Sequence, residues 1–135
     1  MSERTLVIIK PDAVAAGNAG KVLTRYEEAG LEIVAMDLRT ISGEFSDQHY
    51  EEHLERDFYP ALREFMTSGP MIPIVLRGEG CIATVREING ATNPANAEPG
   101  TIRADFGESG PRNAVHASDS PESAAAEIAL WFPGL

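Results

Sequence analysis

Asn113-Ala114-Val115-His116-Ala117-Ser118-Asp119-Ser120 runs straight into Pro121-Glu-Ser-Ala-Ala-Ala-Glu-Ile-Ala-Leu-Trp131, and the fold is read outward from this junction. Ala114 to Ala117 reads as a short strand. Pro121 to Trp131 reads as a helix, with Asp119 or Ser120 as N-cap and a proline in the first turn, where its missing N–H is not needed. Ala124, Ile128 and Trp131 recur at i, i+4 and i+7 and form one apolar stripe. Glu127 falls on that same face. A lone histidine on a strand is therefore followed by a helix that carries a carboxylate where an apolar residue is expected.

The rest of the chain supplies the remaining elements. Arg4 to Lys10 is a β-branched apolar run that predicts a buried strand, ended by Pro11-Asp12. Ala19, Val22, Leu23 and Tyr26 recur at helical spacing up to a stop at Gly30. Leu31 to Ile41 alternates as a second strand, and Ser46 is placed to cap a short helix through about His53. Pro60 opens a helix bearing Leu62, Phe65 and Met66, closed by Gly69-Pro70. Met71 to Leu76 reads as a third strand, in which Pro73 predicts an edge or a bulge. Cys81 to Ile88 reads as a helix that stops at Asn89-Gly90. Gly90 to Asn113 has no period; structureless loops beyond about 15 residues are uncommon unless functional, and this one ends on the histidine, so an ordered binding loop is expected. The order fits a βαββαβ core in a single domain over residues 1–135: a four-stranded antiparallel sheet with helices on one face.

Bulk properties narrow the function. Hydrophobic content of 43% and charged content of 24% in 135 residues suit a globular domain with a real core. No apolar run reaches membrane-span length and Met1-Ser2-Glu3-Arg4 leads into a strand, so neither an anchor nor a cleavable signal is expected. The single cysteine, Cys81, fits a reducing cytoplasm and a small buried apolar role. A net charge of −10 argues against a dedicated nucleic-acid partner. Only Lys10 and Lys21 are lysines, against nine arginines. Salt adaptation and a GC-rich genome account equally well for that balance.

Histidine is the side chain whose neutral form is a competent nucleophile near neutral pH. On its own, a strand histidine such as His116 is more often an inert core residue. Glu127 either snorkels from the stripe's edge or accepts a hydrogen bond from His116, directly or through the Ser118 hydroxyl; a buried carboxylate needs such a partner. His49 and His53, with Glu52 between them, have metal-ligand spacing. A zincin motif needs glutamate where Tyr50 stands, and no third ligand is evident, so a solvated helix face is the preferred reading.

The 113–120 stretch closely resembles the signature of the nucleoside diphosphate kinase family, Asn-x-x-His-Gly-Ser-Asp-Ser, with Ala117 in the glycine position. Arg4-Thr-Leu-Val-Ile-Ile-Lys10-Pro11-Asp12, Thr67-Ser-Gly-Pro70, Ala91-Thr-Asn-Pro94-Ala-Asn96 and Pro99-Gly-Thr-Ile-Arg-Ala-Asp105-Phe106 resemble further blocks of that family, in family order. The resemblance implies a ferredoxin-like fold and Mg²⁺-dependent, ping-pong transfer of a γ-phosphate between nucleoside triphosphates and diphosphates. By the same resemblance His116 becomes phosphohistidine, Glu127 and Ser118 orient it, and Tyr50 lies near the terminal phosphate. Lys10, Arg86, Thr92 and Arg103 are implied phosphate contacts, with Arg56 held less firmly. Phe58 and Leu62 are implied to clamp the base and Asn113 to bind the ribose. Asp119 is implied to hold Mg²⁺ through water, or else simply caps the last helix. A homo-oligomer is implied, usually a hexamer and sometimes a tetramer or dimer. No longer C-terminal arm is expected after Leu135.

Three departures bear on these expectations. Ala117 costs about 1 kcal/mol if its position needs positive φ, and nothing otherwise. Gly110-Pro111 is unusual beside Arg112-Asn113 and could shift the loop bordering the base, and Asp57 stands where the family often has proline. Two rival classes remain at this level: a ferredoxin-like module that binds nucleotide without turnover, and a metal-dependent hydrolase built on His49 and His53.

Overall fold

The computed structural model describes residues 2–135. Four strands, β1 (Glu3–Ile9), β2 (Glu32–Met36), β3 (Ile72–Gly78) and β4 (Val115–Ala117), form one antiparallel sheet in the order β2-β3-β1-β4. Helices α1 (Pro11–Ala15), α2 (Ala19–Glu28), α3 (Gly43–His49), α4 (Tyr59–Met66), α5 (Cys81–Asn89), α6 (Ile102–Phe106) and α7 (Pro121–Trp131) fill the connections. This is the expected ferredoxin-like arrangement.

The helices cover both faces, not one. Successive β1 side chains point to opposite sides, and Leu6 through Ile9 are all fully buried. Val7 and Ile9 pack with Ile74, Leu76, Val22, Tyr26 and Val85 under α2 and α5. Leu6 and Ile8 pack with Val75, Met66, Ile128 and Trp131 under α4 and α7. The continuous apolar run of β1 is the signature of a strand buried on both sides, so the information was in its composition.

Pro73 is not on an edge strand: β3 is central, between β2 and β1. Its carbonyl accepts from Asp37 N–H, just beyond the last β2 residue. N–H and C=O of one residue in an antiparallel strand point the same way, so the missing donor faces the side where the regular β2 ladder has ended. The bulge lies instead in β2, where the register shifts between Ile33 and Ala35. That strand is shorter than expected, and beyond it only Arg39 pairs, with Met71.

Other boundaries differ for local reasons. Ser42, not Ser46, caps α3 by accepting from Phe45 N–H, while Ser46 is buried inside the helix against the Tyr59 hydroxyl at 2.9 Å. Pro11 does end the strand, but it also opens the short helix α1. The long 90–113 segment is not structureless. It contains a 3₁₀ turn at Pro94–Asn96 and α6, whose N-cap Thr101 accepts from Ala104 N–H. Gly90, at φ 85°, ends α5 against Thr101, and a β-carbon there would sit 2.5 Å from the Thr101 hydroxyl. Arg25 ties α2 to Asp105 at 2.6 Å and to the Gly100 carbonyl at 3.0 Å. No helix among the described residues is long and apolar enough to cross a membrane.

Candidate active site

A cleft of about 960 Å³ opens at the sheet end where β1 stops and β4 begins. Lys10, Tyr50, Phe58, Leu62, Arg86, Thr92, Arg103, Asn113, His116 and Asp119 line it together. Residues spread over more than a hundred sequence positions are gathered because β4 adds to β1, with Ile8 opposite His116. Arg56 is exposed and does not line the cleft.

Behind His116 the contacts are dense. Its Nε2 lies 3.0 Å from Glu127 Oε1, and the Ser118 hydroxyl donates to that same oxygen at 2.8 Å. Ser118 is itself buried and its Oγ accepts from Leu6 N–H at 3.2 Å. Burial pushes the Glu127 carboxyl up, but the hydrogen bond and charge of His116, the neighbouring His49 and the Ser118 hydroxyl outweigh it and hold the group below its ordinary value. Glu127 is thus an ionised acceptor. In the neutral His116 ring, Nε2 then carries the proton and Nδ1 keeps the lone pair.

His49 was missed as part of this wall. It does not lie on a solvated helix face: its ring meets His116 edge-on at 4.8 Å, and its Nδ1 accepts from Trp131 Nε1–H at 3.0 Å. Burial, then the adjacent His116, pull it down to about 3, so it stays neutral. His53 does not join it as a metal ligand; among the described residues the ligand-type atoms that converge, within 4.8 Å, belong to His49, His116 and Glu127. An indole only donates, so His49 spends its lone pair on Trp131 and carries its proton on Nε2. That tautomer opposes metal ligation, and the hydrolase reading loses its basis. The signal for His49 was its i, i+4 partner Phe45, which also packs on Trp131 at 4.6 Å.

The cations sit on the other side. Lys10 Nζ donates to Asn113 Oδ1 at 2.8 Å, and Asn113 Nδ2 donates to the Thr92 carbonyl at 2.9 Å. Burial and the Arg103 charge push Lys10 down to about 8, against the pull of Asp12. Arg103, on α6 rather than in a bare loop, donates to the Gly90 and Val115 carbonyls at 2.9 and 2.8 Å. Its Nε is buried and has no acceptor among the described residues, an orphan donor beside the cleft that Arg103 lines. Arg86 is exposed at the rim. Phe58 is 52% exposed on the cleft wall with its ring 5.5 Å from that of His53, while Leu62, also on the cleft, is half-buried. Asp119 is exposed at the cleft edge and accepts from the Ser123 hydroxyl at 2.8 Å; Ser120 does the capping of α7. One exposed carboxylate at that edge is the kind of oxygen ligand a hard divalent ion takes, with the rest of its shell from other oxygens and water.

Ala117 settles its own question. Ala114, at φ 73°, is the one non-glycine residue with positive φ among the described residues; Ala117 is ordinary strand opposite Val7. The alanine in the signature therefore costs the backbone nothing.

Comparison with known proteins agrees with this geometry. The family model described as nucleoside diphosphate kinase matches residues 3–135. A nucleoside diphosphate kinase of Nocardioides sp. is 56% identical, the alignment covering all of both chains. One from Rhodococcus erythropolis is 57% identical over all of this chain and 98% of its own. The crystal structure of the Aquifex aeolicus nucleoside diphosphate kinase superposes with a TM-score of 0.96 at 46% identity, covering 99% of this chain and 97% of that one. The chain belongs to the nucleoside diphosphate kinase family and is a phosphotransferase.

Proposed function

We propose that this enzyme moves the γ-phosphate of a nucleoside triphosphate onto a nucleoside diphosphate through a covalent intermediate on His116 Nδ1. The observation that carries it is the Glu127 carboxylate 3.0 Å from His116 Nε2. A binding module has no use for a half-buried acid aimed at a histidine, whereas a nucleophile needs its tautomer fixed.

In the first half-reaction the Nδ1 lone pair attacks the γ-phosphorus, the bond to the β-phosphate oxygen breaks, and the diphosphate leaves. In the second, a terminal oxygen of the incoming diphosphate attacks the same phosphorus and the P–N bond breaks, returning the ring. Glu127 stabilises the positive charge that the ring acquires, and Ser118 holds that carboxylate in place. Lys10, Arg86, Arg103 and Thr92 bind the phosphates, the two arginines by their planar forks. Tyr50 lines the cleft beside His116. Phe58 and Leu62 clamp the base, which suits broad nucleotide use because every base has a face; Asn113 and Lys10 take the sugar. Mg²⁺, near Asp119, would neutralise phosphate charge when bound. The working form is a homo-oligomer, checked by light scattering.

The test is incubation with γ-labelled ATP and Mg²⁺. Label on the protein should be acid-labile, base-stable, transferable to GDP and lost in His116→Ala. An unlabelled wild type that binds nucleotide would overturn the reading in favour of a non-catalytic module.

A further inference from the structure

The turn that delivers His116 is strained. Ala114 has φ 73°, and Val115 N–H donates to the Asn113 carbonyl at 2.9 Å. A bond from residue i to i+2 around a positive φ is the rare, strained form of γ-turn. In this half of φ space a β-carbon crowds the backbone, and only glycine enters freely. Ala114 is nevertheless fully buried and held from both sides: its N–H donates to Asp12 Oδ2 at 3.1 Å and its carbonyl accepts Lys10 N–H at 2.8 Å.

Asp12 plays no part in the chemistry described above, yet it is 93% buried by its 7% residual exposure. Its Oδ1 has no protein partner among the described residues. Retaining so costly a group calls for a return; beside local contacts with its own and the Ala13 N–H, the carboxylate accepts the Ala114 N–H from across the fold. The residues on either side of that peptide explain what the return is. Asn113 precedes it and holds Lys10 Nζ and the Thr92 carbonyl; Val115 follows it and receives Arg103. Strained backbone persists at sites where surrounding contacts over-determine it.

We propose that Asp12 is a positioning residue: its carboxylate clamps the strained turn at Ala114 and thereby sets Asn113, Lys10 and His116 relative to one another. This rests on the assignment of those three residues to nucleotide binding and transfer. Asp12 touches neither substrate nor the reacting phosphorus; it acts through the turn.

The clamp and the strain are two halves of one device, so relieving the strain should remove the need for the clamp. The experiment is a double-mutant cycle of Asp12→Ala and Ala114→Gly, with Asp12→Asn as the conservative variant. Each protein is measured for GDP affinity by titration, for kcat/KM, and for Tm. Asp12→Ala is expected to lose roughly tenfold to hundredfold in kcat/KM, the scale of an ångström-sized misplacement, and to bind GDP more weakly. Ala114→Gly alone should stay close to wild type. The double variant should recover at least about half of the loss on a logarithmic scale, because glycine adopts positive φ without help. Asp12→Asn keeps an acceptor oxygen and should lose much less than Asp12→Ala. If Asp12→Ala fails to fold, the double variant should fold, and that rescue is then the readout. Additive losses in the double variant, wild-type behaviour of Asp12→Ala, or failure of both to fold would each overturn the proposal. A wild type that binds GDP but takes no phosphate would sink the catalytic reading alone, since the cycle in GDP affinity still tests the clamp.

Discussion

The two sides of His116 are built differently. Behind it stand Glu127, Ser118, His49 and Trp131, tied by hydrogen bonds of 2.8–3.0 Å around a tryptophan that is 1% exposed. In front, the base wall is a half-exposed Phe58 and the rim an exposed Arg86. The rear holds one atom in one tautomer, while the front side chains are open to solvent. On the proposed mechanism, reaction precision would come from the back and any breadth of substrate from the front. The division predicts that rear substitutions fall on kcat and front substitutions on KM.

The largest test strikes the rear. Glu127→Ala removes the acceptor for His116 Nε2 and the partner of Ser118 while leaving the cleft lining intact. We expect kcat to fall by roughly 10²–10⁴, the range seen when an orienting acid or a charge-stabilising group is lost, with KM for GDP nearly unchanged. Steady-state kinetics decide this. A loss carried mainly by KM would erase the distinction between the two sides.

The corresponding cut at the front is Phe58→Ala. Base stacking on an aromatic is worth about 1–3 kcal/mol, so KM should rise roughly fivefold to a hundredfold. The effect should be similar for purine and pyrimidine diphosphates, and kcat should hold. A kcat loss comparable to that of Glu127→Ala would mean that the base clamp positions the reacting phosphate.

Lys10 joins the two sides, and pH reads it. With its ammonium brought down to about 8, phosphate binding by Lys10 is complete below that pH and fades as pH rises through it. kcat/KM should therefore fall up to tenfold per unit above about 8, the slope of a single titrating group. Lys10→Arg should abolish this limb, since guanidinium stays charged. Stability of the unliganded fold runs the other way. Between about 8 and the ordinary 10.5, the unfolded chain binds more protons, so stability rises with pH. A melt that gains stability over the range in which kcat/KM falls would be a clear signature.

What the sequence revealed follows the same division. β1, the terminal strand and α7 were legible because one apolar period governs each, and Glu127 stood out against its stripe. Its partner was named by the family resemblance, because spacing alone left an acid that snorkels to water also open. The 90–113 segment hid α6 because its helix is five residues long and started by a cap, Thr101, in a Gly- and Pro-rich context. Ser46 misled because Ser42 offers the same chemistry four residues earlier, and what separates them is the Tyr59 hydroxyl, a tertiary contact. Pro73 misled because its cost depends on where β2 ends. His49 was hard to read as an inward residue: Phe45 at i−4 is a weak signal, and the indole that both meet lies 82 positions from the histidine. The strain at Ala114 leaves no mark in sequence at all: alanine there looks ordinary.

The smallest effect concerns the family glycine. Ala117 sits in β4 opposite Val7, 8% exposed and without positive φ. Ala117→Gly restores the signature, but it also frees the unfolded backbone and removes a methyl group from the packed face. Glycine in a strand costs roughly 0.5–1 kcal/mol relative to alanine, which in a domain of this size lowers Tm by a few degrees. Activity should not rise, because no strained backbone is relieved. A gain of severalfold in kcat would show that the glycine of the signature serves the cleft space that Ala117 lines, and not the chain's conformation.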